Sequence, residues 1–272
     1  MYHSVSFGVG SSWKNTWTDW HLVSEERPYV APPTPKTQFV DIPGASTKLD
    51  FSEELTGYPT FENRTGSLEF IITDQYDSYQ EKRWQDTYSK IMAYISGRRL
   101  KMILEDDPNY FYEGRFYVEE FTPGASADDS FSRITINYDV GPYKWTVEDS
   151  LDANWLWDPF SFVDGVITSS AVKDLPIDST LKTLELPKEL IGVAPFCPEF
   201  IVTTSGGTNV ILQIINQELR INTEKTVQAG TWTFYDVIFW ADVITNSKTI
   251  LKYRMASGGT GTLSLRYRKG GL

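Results

Sequence analysis

Cysteine is nearly absent from this chain of 272 residues. Cys197 stands alone, so no disulfide can form within the chain and no multi-cysteine metal site can exist. Histidine is almost as scarce. With only His3 and His21, most of the usual acid–base and metal-ligating repertoire is missing, and no metal or cofactor is expected. Long apolar runs are also lacking. A membrane span needs about 20 continuous apolar residues, whereas the greasiest stretches, Val210–Ile215 and Val237–Ala241, are far shorter. The start, Met1-Tyr2-His3-Ser4, has neither the basic opening nor the apolar core of a secretory signal. The expectation is a chain made in a cytoplasm, without membrane contact, that stays soluble or leaves within a larger particle. Positive charge is the last shortage. Lys and Arg number 25 against 36 Asp and Glu, a net charge of −11 that repels phosphate backbones and argues against nucleic acid as the main partner.

What is present is material for a core. Hydrophobic residues make up 40% and aromatics 14% of the chain, too much for a disordered polymer. Period-two alternation dominates, in Arg115–Glu120, Thr135–Val140, Thr249–Arg254 and Thr262–Arg268, with Gly, Pro, Asn and Asp clusters between. That pattern predicts antiparallel strands with one face buried. One segment departs from it. From Ser78 to Ser96, Trp84, Tyr88, Ile91 and Ile95 recur three or four apart, which predicts an amphipathic helix. Ser78 and Glu81 have the spacing of a capping box, and Gly97 can close the far end. Two hairpins follow: Leu100–Leu104 with Tyr110–Val118 across Glu105–Asn109, then Arg115–Phe121 with Ser132–Val140 across the longer connection Pro123–Asp129. A boundary near Tyr143-Lys144-Trp145 divides the chain into residues 1–145 and 146–272, the second part read as short strands with glycine-rich turns.

Few residues combine into chemistry. Glu105-Asp106-Asp107 with Asp50 or Glu113 would have to face one bond to hydrolyse a glycoside, but Asp beside Pro and Asn is the ordinary composition of a turn. Cys197 lies between prolines, Pro195-Phe196-Cys197-Pro198, with no histidine beside it, and reads as a small apolar side chain. His21 follows Trp13, Trp17 and Trp20 in a segment suited to packing or to an interface. Gly206-Gly207-Thr208 lacks the lysine of a phosphate loop. Trp232, Tyr235, Phe239 and Trp240 offer a platform for sugar rings or, more simply, the filling of a sandwich core. The composition points to a protein that works by contact.

The first half carries a resemblance. Phe39-Val40-Asp41-Ile42-Pro43-Gly44, Lys48-Leu49-Asp50-Phe51-Ser52, Gly57–Arg64, the helix, and Ile103–Arg115 occur in an order similar to the distal tail proteins (Dit) of siphophages, and Leu265–Leu272 resembles that family's ending. The likeness is strongest over residues 38–145 and diffuse from 146 to 260. It departs at Ala45-Ser46-Thr47, where a glycine-rich or charged pair is expected. The resemblance implies a mainly β chain: residues 1–145 as a ring-forming belt domain, a β-sandwich with one helix and a projecting β-hairpin, and residues 146–272 as a galectin-like β-sandwich. It implies a homo-hexameric ring at the distal end of the virion tail, with DNA only passing through. The ring would join the tail tube protein to a Tal-like hub, and carry receptor-binding or other baseplate proteins. No catalytic residue comes with the family. Candidate interface residues are Trp13, Trp17 and Trp20, with Pro123, Gly124, Asp128 and Asp129 of the long connection. The alternative is a carbohydrate-binding module touching the host surface, although no sugar-binding motif is assigned.

Overall fold

The computed structural model describes residues 3–72, 83–122, 132–152, 172–245 and 247–272. Contacts divide the chain into two units: Met1–Lys36 with Phe61–Lys144, and Thr37–Thr60 with Trp145–Leu272. The chain thus changes unit at Lys144, beside the break in pattern near Tyr143–Trp145. It also makes an earlier excursion, Thr37–Thr60, that no feature of the residue pattern announces.

The first unit begins with β1 (Val5–Val9), β2 (Ser12–Asn15) and β3 (Leu22–Ser24). The excursion then contributes β4 (Phe39–Val40) and β5 (Leu49–Asp50) to the second unit. Returning, the chain forms β6 (Arg64–Ile72), α1 (Arg83–Ile95), β7 (Arg98–Leu104), β8 (Tyr110–Thr122) and β9 (Ser132–Val140). The sheet runs β2-β1-β7-β8-β9-β6-β3. β9 shows why these residues form strands: Ile134, Ile136, Tyr138 and Val140 are buried while Arg133 and Asp139 between them face out. Their core partners are Val5, Phe7, Phe70, Met102 and Phe116, each fully buried, and a side chain of this size contributes about 1.5–3 kcal/mol by leaving water.

The helix covers this core as its stripe requires. Ile91 and Ile95 are fully buried, and Tyr88 packs on Phe121 with ring centroids 4.7 Å apart. Gly97 ends it at φ 73°, a left-handed conformation that favours glycine. The expected capping pair, Ser78 and Glu81, lies outside the described residues. Both predicted hairpins form, Met102 opposite Tyr112 in the first and Phe116 opposite Tyr138 in the second.

In the second unit, β10 (Lys144–Thr146), which starts at the unit boundary, pairs with β19 (Gly270–Gly271). Between them come β11 (Leu175–Ile177), β12 (Lys182–Leu186), a one-turn helix α2 (Lys188–Ile191), β13 (Glu199–Thr204), β14 (Val210–Asn216), β15 (Ile221–Val227), β16 (Gly230–Thr233), β17 (Thr249–Met255) and β18 (Gly261–Arg266). They make two four-stranded sheets, β11-β18-β13-β16 and β12-β17-β14-β15. Phe200, Val202, Leu263 and Leu265 from the first sheet share one core with Leu212, Ile214, Leu251 and Tyr253 from the second, so the unit is a β-sandwich. Among the described residues the buried amide of Asn216 is satisfied: its Nδ2 donates to the Trp240 carbonyl at 2.9 Å and to Thr249 Oγ1 at 3.0 Å. The expectation of a mainly β chain with one long helix holds.

Close backbone approach makes Gly114 a sensitive point of the first unit. A Cβ there would sit 2.1 Å from the Asp139 carbonyl oxygen, inside the β8–β9 ladder. Gly114→Ala is expected to force these strands apart, and Phe70→Ala to cost about 3–5 kcal/mol through the cavity it leaves. Chemical denaturation measures both, and an unchanged midpoint for either would contradict the packing described.

Candidate functional site

The carboxylates of the first hairpin turn are fully engaged in holding the fold. Asp106 lies with Oδ1 and Oδ2 both 3.0 Å from His3 Nδ1, and accepts from Arg27 Nε at 2.7 Å. Those bonds, Arg27 first and His3 second, hold its carboxyl below the usual carboxylate range. Glu105 Oε2 accepts from the Ser4 N–H at 2.6 Å. Asp107 accepts from Lys144 Nζ at 2.7 Å. Burial is the largest single influence and works against the Lys144 charge, but the bond to Asp107, the Asp107 charge and the neighbouring Tyr112 and Tyr110 together outweigh it and raise the ammonium pKa. Glu113 takes Arg99 Nε at 3.0 Å. Asp50, in the other unit, accepts from the hydroxyl and the N–H of Ser52, which lower its pKa. The turn is a clasp between the amino-terminal strand and the hairpin, and the sequence alternative of a hydrolytic carboxylate pair finds no geometry here.

Cys197 is half-buried, its Sγ 3.8 Å from the Tyr235 carbonyl. Burial, with the Asp236 charge second, pushes the thiol pKa up, the opposite of what a nucleophile needs. Among the described residues no group of three or more His, Cys, Asp or Glu could hold a metal ion. No helix described is long and apolar enough to cross a membrane.

The aromatic candidates separate. Trp20 is only 5% exposed and packs in the core on Phe7 and edge-on against Tyr94, so its indole is not available to a partner. Trp13 lies on β2 across from Gly8, where a Cβ would come 2.5 Å from its ring; its Nε1 donates to the Gly10 carbonyl at 3.0 Å. Trp17 packs beside His21, ring centroids 6.4 Å apart. Trp13 and Trp17 each keep part of their surface in solvent. Pro123, Gly124, Asp128 and Asp129 lie outside the described residues. In the second unit the four-ring platform does not assemble. Phe239 is fully buried and Trp240 nearly so, leaving Tyr235, 86% exposed, and the half-exposed Trp232. Trp240 instead receives Tyr58 from the excursion, ring centroids 5.7 Å apart.

The excursion holds a surface that residue patterns alone did not mark. Phe39, Val40, Ile42, Leu49, Phe51 and Leu55 are all exposed. The available signal was an apolar pair on each side of the turn-forming Pro43-Gly44, which reads as a hairpin; that both its faces stay open is a tertiary fact.

The clasp has a pH signature. Because the folded Asp106 pKa is depressed, its contribution to stability is present above the ordinary carboxylate range and is lost as pH falls through the folded value, below about pH 4. Asp106→Asn is expected to lower stability at neutral pH and to flatten the acid limb of a stability–pH profile. An acid limb identical to that of the unaltered chain would refute the clasp.

No protein-family profile matches this chain, and no curated protein does either. A solved structure does. The chain is similar to SPP1 Dit (gp 19.1), a protein described as a paradigm of the hub adsorption apparatus in phages that infect Gram-positive bacteria; identity is 11%, the TM-score is 0.54, and the alignment covers 98% of this chain and 99% of that one. The likeness is therefore one of backbone architecture, it runs through both units, and it gives this chain the fold of a Dit distal tail protein.

Proposed function

We propose that this chain is a structural protein of the distal end of a phage tail. The observation that carries the reading is the match of architecture along essentially the whole of both chains, helix-bearing first unit and β-sandwich second unit together. In this reading the amino-terminal domain, residues 1–145 apart from the excursion 37–60 that belongs to the second unit, is a belt that closes with five others into a hexameric ring. The carboxy-terminal domain, residues 146–272, is a galectin-like sandwich at the ring's periphery. The ring joins the tail tube to a Tal-like hub and bears the components that adsorb to the host.

Physical chemistry supports the parts. Two different surface patches that meet head to tail generate a ring whenever the rotation closes, with no need of metal or disulfide. A chain with net charge −11 has little affinity for phosphate, so a channel built from it lets the genome pass without holding it. The chemistry-bearing groups weighed above serve the fold, which suits a protein whose work is contact.

Light scattering of the purified chain, alone and with its hub protein, is expected to show a species six times the mass of one chain, and negative-stain images a six-fold ring. A monomer at high concentration in both conditions would overturn the proposal.

A further inference from the structure

β6 is paired with β9 along its whole length, Arg64–Ile72, without a bulge. On its other edge β3 pairs with Phe70–Ile72 alone, and the contact ends where the Glu25 N–H donates to the Glu69 carbonyl at 3.0 Å. Backbone groups alternate in direction along an antiparallel strand, so that last bond fixes the phase. The N–H and C=O groups of Thr65 and Ser67 point off the edge as those of Glu69 do. Among the described residues no strand, turn or side chain takes them. Thr65, Gly66 and Ser67 are all exposed. The chain that follows β3 leaves a cleft of about 170 Å³ beside this edge, with Glu26, Pro28 and Tyr29 on one side and Ser67, Leu68 and Glu69 on the other. An open edge is a template for a further strand, and native sheets blunt theirs with lysine, proline or bulges. Thr65–Leu68 carries none of these.

Charge selects what is added. Glu26 and Glu69 line the cleft, and among the described residues neither carboxylate has an ion-pair partner. The cations nearby are occupied: Arg27, also on the cleft, by Asp106 at 2.7 Å, and Arg133 by Glu25 at 3.3 Å. Across the outer face the row of Glu69 runs through Thr135 to Glu120 of β8, which adds a further negative charge. At the far end Asp139 stands opposite Thr65 and Arg115 opposite Asp139, so that row is balanced. Leu68 and Tyr29, the latter 69% exposed, supply the apolar part of the lining. A second copy is a poor source for the missing strand. Its net charge is −11, and at the opposite end of its sheet Asn15 of β2 is already closed off by Asp19 through N–H and C=O alike.

We infer that the Thr65–Leu68 edge of β6 receives, as an added strand, an extended segment of another protein with Lys or Arg at alternate positions. The main chain of that segment pairs with Thr65 and Ser67. Its basic side chains share one face and meet Glu69 and Glu26. Backbone bonds give the affinity, and the alternation gives the specificity. The inference goes beyond the tail reading and does not depend on ring formation.

A six-residue peptide of alternating Lys and Val, blocked at both ends, is the probe, with fluorescence anisotropy and hydrogen exchange as readouts. The unaltered chain is expected to bind it, and to bind a Glu/Val counterpart about tenfold more weakly or worse. Exchange over residues 64–69 is expected to slow when the Lys/Val peptide is bound. Ser67→Pro removes an N–H that makes no bond within the chain, so melting is expected to be unchanged. Glu26→Lys/Glu69→Lys tests the same edge without touching the backbone. Each variant is expected to weaken binding about tenfold or more. Failure of the unaltered chain to bind, unchanged exchange over 64–69, equal binding of the two peptides, or intact binding by both variants would overturn the proposal. Loss of self-assembly in Ser67→Pro, with no peptide bound by the unaltered chain, would give the edge to a second copy; the proposal would fall and the ring reading stand.

Discussion

The first unit depends on a strand that is paired along both edges. β8 takes β7 on one side and β9 on the other, and its Gly114 lets the β9 backbone approach where no side chain could fit. Everything else hangs from that three-strand centre. β1 adds to β7, β6 adds to β9, and α1 seals the open face by dropping Ile91 and Ile95 onto it. The irregularity between Val118 and Glu120 then bends the far end of β8, at the point where Phe121 meets Tyr88 of the helix.

With no covalent cross-link, the chain relies on a few specific polar ties to fix what burial leaves free. Burial is indifferent to register, whereas a carboxylate facing one histidine and one arginine is not. The turn at Glu105–Asp107 ties down the amino-terminal strand, and Arg64 performs a similar task deeper in. Its buried guanidinium donates to the Pro142 and Ala31 carbonyls at 2.8 and 3.3 Å and lies 5.4 Å over the Tyr112 ring. Such ties specify one arrangement more than they add stability. They also explain why residues with catalytic side chains can cluster in a protein whose fold is that of a tail component.

Much of this architecture was legible from residue pattern. The strands through Thr135–Val140 and Thr249–Arg254, the helix stripe at Tyr88, Ile91 and Ile95, and the terminating Gly97 each follow from local spacing, because half-buried strands and amphipathic helices write their periods into the sequence. The first three strands were not legible. Trp13, Trp17 and Trp20 read as one aromatic segment, whereas the chain uses them across a strand, a turn and the core, a division set by distant partners such as Tyr94. Likewise the Trp232–Trp240 run alternates well enough to suggest a strand, yet β16 stops at Thr233 and the remainder turns inward to bury Phe239. The open ribbon was invisible for the same reason. Alternation shows which residues share a face, not whether anything covers it.

The position of β18 has a consequence for how the protein is made. It follows both of its partners, β11 and β13, in the chain, yet it lies between them in the sheet, supplying Leu263 and Leu265 to the sandwich core. Until the ribosome has delivered it, β13 has an unpaired edge and Phe200 lacks its neighbour Leu265. The sandwich therefore cannot close in step with synthesis; it must wait and then snap shut nearly at once. Products that stop short of it are left with an open sheet and a wet core, fit for proteolysis. Delivery of β18 becomes a built-in check on the closure of the sandwich.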